Sequence, residues 1–153
     1  MTAVVEFTSV DILFGKDTGT AQAMLDKGES RTAILEKTGV VLGCAGANLT
    51  VKEGEISVLM GLSGSGKSTL LRAVNGLNKV TRGSVLVRDG NKMIDVVTCD
   101  EATLRHIRQG QVAMVFQQFA LLPWRTVAEN VGFGLELAGM PEAERKATVD
   151  AQL

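Results

Sequence analysis

The clearest chemical signal in this 153-residue chain is a nine-residue segment, residues 61–69, with the spacing of a phosphate cradle. It reads Gly-Leu-Ser-Gly-Ser-Gly-Lys-Ser-Thr and fits the P-loop pattern G-x-x-x-x-G-K-[ST]. The glycines let the backbone curl so that several N–H groups converge on phosphate oxygens, and the helix that follows directs its positive end at the same anion. The candidate nucleotide-binding residues of this loop are Gly61, Ser63, Gly64, Ser65, Gly66, Lys67, Ser68 and Thr69.

Three side chains of the loop have distinct predicted roles. Lys67 places a point charge on the β- and γ-phosphates, the Ser68 hydroxyl is positioned to ligate Mg²⁺, and Thr69 adds a contact to phosphate. The alternative is a flexible Gly/Ser surface loop. Its flanks disfavour that alternative, because an apolar run at 56–60 precedes the loop and a helix-prone run follows it. The sequence therefore predicts a nucleotide site with Mg²⁺.

A P-loop indicates a nucleotide but does not define a reaction. Hydrolysis also needs an acid that organises the metal, normally an Asp that ends an apolar strand. Asp89 follows a strand-like run at 84–88 but begins a hairpin turn, and Asp95 lies inside the second strand of that hairpin. The run at 111–116 ends in Gln117 rather than in an acid. The sequence offers no convincing candidate for this acid.

The elements that must position the loop follow from the apolar patterns around it. Residues 3–14 predict a strand, and helices are predicted at 21–27 and 31–37, with Gly28 between them and Ser30 as the cap of the second. Further strands are expected at 40–42, 47–51, 56–60 and 111–116, and the apolar run at 56–60 is typical of a strand buried on both faces. A helix at 70–75 ends at Gly76. An Asp-Gly turn between 84–88 and 92–97 predicts a β-hairpin.

Capping patterns predict where the later helices begin. The pattern T-x-x-E places helix starts at Thr98 and at Thr126. The first helix should end at Gly110, and the second should run to about residue 138. Pro141 suits the first position of a further helix, which we expect to continue to Leu153.

Composition narrows the class of protein. Apolar residues make up 45% of the chain and charged residues 22%, as in globular proteins. Sixteen Lys and Arg against 17 Asp and Glu give a net charge of −1, which offers no cationic surplus for nucleic acid. Cys44 and Cys99 fit inert packing in a reducing compartment, and His106 is expected to face solvent. The sequence shows neither a signal peptide nor an apolar run that could cross a membrane.

Taken together, the loop, the hairpin and two longer stretches carry a family resemblance. Residues 61–75 (GLSGSGKSTLLRAVN) and 114–123 (MVFQQFALLP) resemble the ATP-binding subunit of ABC transporters. Within that superfamily the chain is similar to importers of quaternary amines such as choline, glycine betaine and proline betaine, and most similar to the choline systems. The resemblance covers essentially the whole chain. It implies an α/β P-loop NTPase core with an antiparallel β subdomain, and ATP and Mg²⁺ as cofactors.

The resemblance also implies a domain organisation. Residues 1–153 would be the N-terminal part of one ABC ATP-binding domain, incomplete at its C-terminus. The implied segments are a family-type helical insert at 14–43, a strand, P-loop and helix at 56–76, the hairpin at 84–97, a strand and Q-loop at 111–125, and the start of the helical subdomain at 126–153.

Three further site predictions come from the family pattern. Phe14 falls where these proteins place the aromatic ring that stacks on adenine, the alternative being an ordinary core residue. Gln117 matches the Q-loop glutamine, which reaches Mg²⁺ and the attacking water, so Lys67 and Gln117 are the implied catalytic residues. Residues 119–125 match the surface that receives the transmembrane permease, although Trp124 could instead pack within this chain.

The family implies partners and a location as well. Two ATP-binding subunits would enclose two ATP molecules, contact the permease, and meet the periplasmic solute-binding protein only indirectly. The complex would place this chain on the cytoplasmic face of the bacterial inner membrane as a peripheral protein. The family's signature motif and hydrolytic acid lie beyond the Q-loop by more residues than remain here, so the chain is expected to bind ATP–Mg²⁺ without turnover. The alternatives are a nucleotide-binding fragment with no activity of its own, or a small P-loop kinase, which explains neither the insert nor the Gln117 segment.

Overall fold

The computed structural model describes residues 2–117 and 121–153. The chain divides into two compact units, of which the first ends at Val112 and the second begins at Ala113. The first unit contains β1 (Ala3–Phe14), α1 (Thr18–Asp26), α2 (Arg31–Thr38), β2 (Val41–Lys52), α3 (Lys67–Leu71), β3 (Arg82–Asp89), β4 (Lys92–Asp95) and α4 (Glu101–Gly110). The second unit contains α5 (Val127–Leu137) and α6 (Glu142–Asp150).

The first unit is built on an antiparallel sheet with the strand order β2-β1-β3-β4. The predicted opening strand is confirmed as β1, and the predicted hairpin is confirmed as β3 and β4, which turn at Gly90 and Asn91. The two short strand pieces expected at 40–42 and 47–51 form a single strand, β2. Strand β2 stays continuous despite its glycines because it pairs with β1 along most of its length.

The main hydrophobic core fixes the helix that follows the P-loop. Val85 and Val87 alternate with less buried residues along β3, as expected for a strand with one face on a core. Leu70 of α3 and Ile107 of α4 belong to the same core, and Ile107 is fully buried. Leu70 therefore holds α3, and with it the end of the P-loop, against the sheet. Helix α3 is short and ends at Leu71, and turns replace the remainder of the helix predicted to Asn75.

A bulge in β1 buries a carboxylate. The register between β1 and β2 shifts between Phe7 and Val10, where Ser9 has a φ of 48°. Asp11 follows the bulge and is 1% exposed. Its carboxylate accepts hydrogen bonds from the Gly46 backbone N–H at 2.6 Å and pairs with the Arg82 guanidinium at 2.8 Å. The sheet thus contains a buried carboxylate whose charge is paired and hydrogen-bonded, and it lies close in sequence to the start of the helical insert.

A second, smaller core holds the two helices of the insert. It is formed by the buried apolar residues Leu13, Ala21, Met24, Ile34, Val40 and Leu42. Both helices were predicted close to their observed bounds. The Ser30 cap is confirmed, because its hydroxyl accepts a hydrogen bond from the Ala33 N–H at 3.1 Å. The insert is therefore packed onto the end of β1 and the start of β2.

Two predicted strands are absent from the described structure. Residues 56–60 pair with none of the described strands, and Ile56 and Met60 are 91% and 87% exposed. Residues 112–116 are also without regular structure, and Val115 is 95% exposed. The prediction of a strand buried on both faces was therefore wrong for 56–60. An apolar run needs partner strands on each side to form a ladder, and the sheet of the first unit does not extend to these residues.

Helix starts were predicted with mixed success. The capping box at Thr126 is confirmed, since Thr126 and Glu129 exchange hydrogen bonds as the motif requires. The start at Thr98 was wrong, because Asp100 is the cap of α4 and accepts from the Thr103 N–H at 2.7 Å. Pro141 precedes α6 rather than beginning it. Helix α6 ends at Asp150, whereas the helix was expected to continue to Leu153.

The second unit is a pair of packed helices. Gly132 of α5 and Val149 of α6 are the buried residues of the two helices. The Arg125 guanidinium forms a two-pronged ion pair with Glu136 at 2.7 and 3.2 Å, and it holds the pKa of that carboxyl below its usual range. Each helix within residues 2–117 and 121–153 falls short of the length and apolar character needed to cross a membrane.

Candidate functional site

A cavity of about 270 Å³ in the first unit contains most of the predicted nucleotide-binding residues. Its walls come from the end of β1, the start of α2, the start of β2, the P-loop and α3. The lining residues are Phe14, Arg31, Val41, Leu42, Gly43, Gly64, Gly66, Lys67, Ser68 and Thr69. The fold thus assembles one site from segments that are up to 55 residues apart, from Phe14 to Thr69.

The P-loop closes tightly against β2 because of Gly66. This residue caps α3 in the left-handed conformation, with a φ of 94°. A Cβ atom at this position would lie 2.3 Å from the carbonyl oxygen of Gly43. Any side chain larger than hydrogen would therefore force the loop away from the strand. This explains, from the geometry, why the motif has glycine here.

The Lys67 ammonium lies inside the curl of the P-loop. Its Nζ atom donates to the carbonyl oxygens of Gly61 at 2.9 Å and Leu62 at 2.7 Å, and to the Ser65 Oγ at 3.3 Å. These contacts tether the loop around a positive charge. An anion that enters the curl would meet this charge directly.

Phe14 is positioned beside the P-loop helix by a second glycine. A Cβ atom at Gly43 would lie 2.6 Å from Cε2 of Phe14 and 2.9 Å from Cγ2 of Thr69. Gly43 therefore allows the aromatic ring and α3 to approach each other across β2. Phe14 is 41% exposed, so its ring has a surface available for a ligand. With this exposure, Phe14 is not an ordinary core residue.

The residues present fit a nucleoside triphosphate with a bound Mg²⁺ ion. The cradle has the glycines that its curvature requires, a lysine within the curl, and the exposed Ser68 hydroxyl at the first turn of α3. Nowhere in residues 2–117 and 121–153 do three or more His, Cys, Asp or Glu side chains group as a metal site. A Mg²⁺ ion held by Ser68 would therefore take most of its ligands from phosphate and water, as Mg²⁺ commonly does.

The remaining predicted site residues do not line the cavity. Ser63 is exposed on the P-loop, and Gly61 and Ser65 contact Lys67 rather than lining the cavity. Gln117 is exposed and belongs to the second unit. The beginning of the predicted permease surface, residues 118–120, lies outside the described residues.

The described part of that surface is apolar and exposed. Trp124 is 77% exposed and Leu121 is 67% exposed. A groove of about 470 Å³ in the second unit is lined by Leu121, Leu122, Pro123 and Arg125 and by the α5 residues Val127, Asn130 and Val131. Trp124 lies beside residues of α5 and α6, but at this exposure they do not bury it.

Four residues of the cavity lining were missed in the sequence analysis: Arg31, Val41, Leu42 and Gly43. Arg31 donates a hydrogen bond to the Gly64 carbonyl oxygen at 3.0 Å, and Gly43 provides the close approach described above. A glycine inside a strand pattern often marks such an approach, so Gly43 had a signal in the sequence. Arg31 had none, because the contact joins residues 33 positions apart. Next to Gly43, burial raises the pKa of the Cys44 thiol, which disfavours the reactive thiolate.

The family is established by sequence. The profile of the family described as ABC transporter matches residues 44–153. The glycine betaine/proline betaine transport system ATP-binding protein ProV of Salmonella typhimurium is 47% identical over 95% of this chain and 36% of its own length. The glycine betaine transport ATP-binding protein OpuAA of Bacillus subtilis is 44% identical over 93% of this chain and 33% of its own length. The chain thus spans about a third of the length of these relatives.

The fold agrees with this result. A solved dimeric structure of the ATP-binding cassette MJ0796, bound to ADP and Pi, superposes with a TM-score of 0.70 at 30% identity. The match covers 95% of this chain and 53% of the cassette. The α/β fold predicted from the sequence is therefore that of an ABC ATPase domain. On these grounds the chain belongs to the ABC transporter family of ATP-binding proteins.

Proposed function

We propose that this chain forms the ATP-binding part of an ABC importer subunit, which couples ATP binding and hydrolysis to the uptake of a quaternary amine. The observation that carries the proposal is the cavity in which the P-loop, Lys67 and Phe14 meet. The relatives are named for glycine betaine and proline betaine. We therefore place a betaine ahead of choline, the solute favoured by the sequence resemblance.

Each side of the cavity has a proposed role in holding ATP. The P-loop N–H groups and the Lys67 ammonium bind the phosphates, and Lys67 exchanges its carbonyl partners for phosphate oxygens. Ser68 ligates Mg²⁺, which supplies charge neutralisation at the β- and γ-phosphates. Phe14 stacks on adenine, an interaction that needs only an exposed aromatic face.

The other partners are proposed for a protein built like its longer relatives. Gln117 would reach Mg²⁺ and the attacking water and sense the γ-phosphate, and a second copy of the subunit would complete the ATP site. The apolar groove that Leu121 helps to line, together with the exposed Trp124, would receive the permease. The subunit would then be a peripheral protein on the cytoplasmic face of the bacterial inner membrane, in contact with the solute-binding protein only through the permease.

Calorimetric titration with ATP in the presence of Mg²⁺ tests the nucleotide site. Replacing Lys67 by Ala removes the charge within the P-loop, and we expect the affinity to fall at least tenfold, which corresponds to about 1.4 kcal/mol. Lys92→Ala is the matched control, because Lys92 is an exposed lysine at the start of β4, away from the cavity lining. Equal affinities for the two variants would contradict the proposed site.

Solute uptake tests the transport role. The chain by itself is expected to bind ATP without turnover, so the test uses a subunit of its relatives' full length that contains this chain. This subunit is assembled with its permease and solute-binding protein in sealed vesicles loaded with ATP and Mg²⁺, and labelled glycine betaine is added outside. We expect ATP-dependent accumulation that is lost with Lys67→Ala. Accumulation of choline, but not of glycine betaine, would contradict the preference for betaine.

The tryptophan offers a test of the permease surface. Trp124 is the only tryptophan of the chain, so its fluorescence reports on a single exposed position. A tryptophan-free peptide from the cytoplasmic loop of the permease should shift the emission to shorter wavelength, because docking removes the indole from water. Val41→Ala alters an exposed apolar residue of the first unit and should leave the shift unchanged. An unchanged emission at saturating peptide would contradict the proposed surface.

A further inference from the structure

The helical insert contributes one wall of the P-loop cavity. Helix α2 begins at Arg31, and the Ser30 cap fixes this first turn. Three residues later Ile34 is fully buried in the smaller core with Met24 and Leu42. The position of the Arg31 backbone is therefore set by packing and capping rather than by a mobile loop.

The Arg31 guanidinium reaches from this wall to the P-loop. Its Nη1 donates to the Gly64 carbonyl oxygen at 3.0 Å, and its Nη2 donates to the Gly43 carbonyl oxygen at 3.5 Å. These two contacts place the side chain between the loop and β2, on the lining of the cavity. A guanidinium has five N–H donors, so donors remain for a ligand.

The charges around the cavity favour an anion. Arg31 and Lys67 are the two charged residues among those that line it, and both are cations. Within the described residues Arg31 forms no ion pair with a carboxylate, and its partners are neutral carbonyl groups. Two cations on one small cavity without a facing acid produce a positive potential that a polyphosphate would neutralise.

We propose that Arg31 is a nucleotide-binding residue, which donates to the phosphates of the bound nucleotide from the wall that the insert forms. This inference rests on the proposed function and gives the insert a role within it. Arg31 suits this task because a planar guanidinium binds phosphate oxygens through two parallel N–H groups.

The test separates the charge of Arg31 from its contact with the P-loop. Arg31→Gln keeps an N–H donor for a carbonyl oxygen but removes the charge, whereas Arg31→Lys keeps the charge. The affinities for ATP with Mg²⁺ and for inorganic tripolyphosphate are measured by calorimetry. Lys37→Gln makes the same charge change at an exposed position of α2 outside the cavity lining, about 9 Å along the helix from Arg31.

We expect Arg31→Gln to weaken both ligands about fivefold to tenfold, Arg31→Lys to weaken them less, and Lys37→Gln to leave them unchanged. Full affinity in Arg31→Gln would overturn the proposal and leave Arg31 with only its contact to the loop. A loss for ATP without a loss for tripolyphosphate would also overturn it, because the residue would then contact the nucleoside. A wild-type chain that binds neither ligand would instead refute the proposed function. Thermal unfolding of each variant without ligand controls for loss of fold.

Discussion

Replacing Gly66 by Ala places a methyl group against the strand that supports the P-loop. The new Cβ atom would lie 2.3 Å from the Gly43 carbonyl oxygen, whereas contacts of real Cβ atoms essentially never fall below 3.0 Å. The loop and the strand must therefore separate by at least 3.0 − 2.3 = 0.7 Å. Gly54→Ala is the matched control, because Gly54 also has a positive φ, 73°, but open space around its Cβ position.

The size of the effect follows from these two geometries. Both variants place an L residue in the left-handed region, which costs about 1–2 kcal/mol. Only Gly66→Ala adds a steric clash, and overpacking of this kind costs roughly 1–3 kcal/mol more. A 0.7 Å shift would also lengthen a phosphate hydrogen bond of about 2.9 Å to about 3.6 Å, beyond useful range. Losing one hydrogen bond to a charged group, worth about 1.5–3 kcal/mol, weakens binding roughly 10-fold to 150-fold.

Two measurements decide the outcome. Urea unfolding gives the stability of each variant, and calorimetric titration with ATP and Mg²⁺ gives the affinity. We expect both variants to lose stability, Gly66→Ala more than Gly54→Ala, and only Gly66→Ala to lose affinity. If the two variants bind ATP equally well, the close approach of Gly66 to the strand does not shape the nucleotide site.

Three further predictions concern other parts of the chain. Phe14→Ala should weaken ATP binding by about 1–3 kcal/mol in calorimetry, whereas Phe14→Tyr should retain it; equal losses would contradict stacking. Asp11→Ala removes a buried carboxylate that accepts hydrogen bonds from the Gly46 N–H, the Gln22 amide and the Arg82 guanidinium, so urea unfolding should show about 2–4 kcal/mol lost, and a loss below about 0.5 kcal/mol would contradict this. The Thr126 N–H lowers the pKa of Glu129 below its ordinary value of about 4.5. The stabilisation of α5 by this pair is therefore complete above pH 4.5 and declines as the pH falls. Glu129→Gln should remove this dependence from urea unfolding followed by helix ellipticity, and an unchanged pH profile would contradict it.

Local signals accounted for the parts of the fold that were predicted well. The P-loop, the Asp-Gly hairpin and the caps at Ser30 and Thr126 depend on residues a few positions apart, so their types and spacing identify them. The helix start predicted at Thr98 was wrong because Thr98 and Asp100 are both suitable N-cap residues, and the backbone conformation makes Asp100 the cap. Choosing between them requires the dihedral angles.

The parts that were missed depend on distant partners. The apolar run at 56–60 indicated a buried strand, but apolar character does not supply the neighbouring strands that a ladder requires. Arg31 carries no motif, and it joins the cavity because Ile34 packs α2 against β2. The loop of the candidate site was therefore predictable from the sequence, whereas the wall formed by the insert was not.

The central claim is that adenine lies beside Phe14 while the phosphates lie in the P-loop of the same cavity. Photolabelling with 8-azido-ATP, followed by peptide mapping, tests this claim most directly because the reactive group is on the base. We expect the label on peptides that contain Phe14 or residues 41–43, with protection by excess ATP and strong reduction in Lys67→Ala. Label confined to residues 121–153, or label that excess ATP does not suppress, would contradict the account.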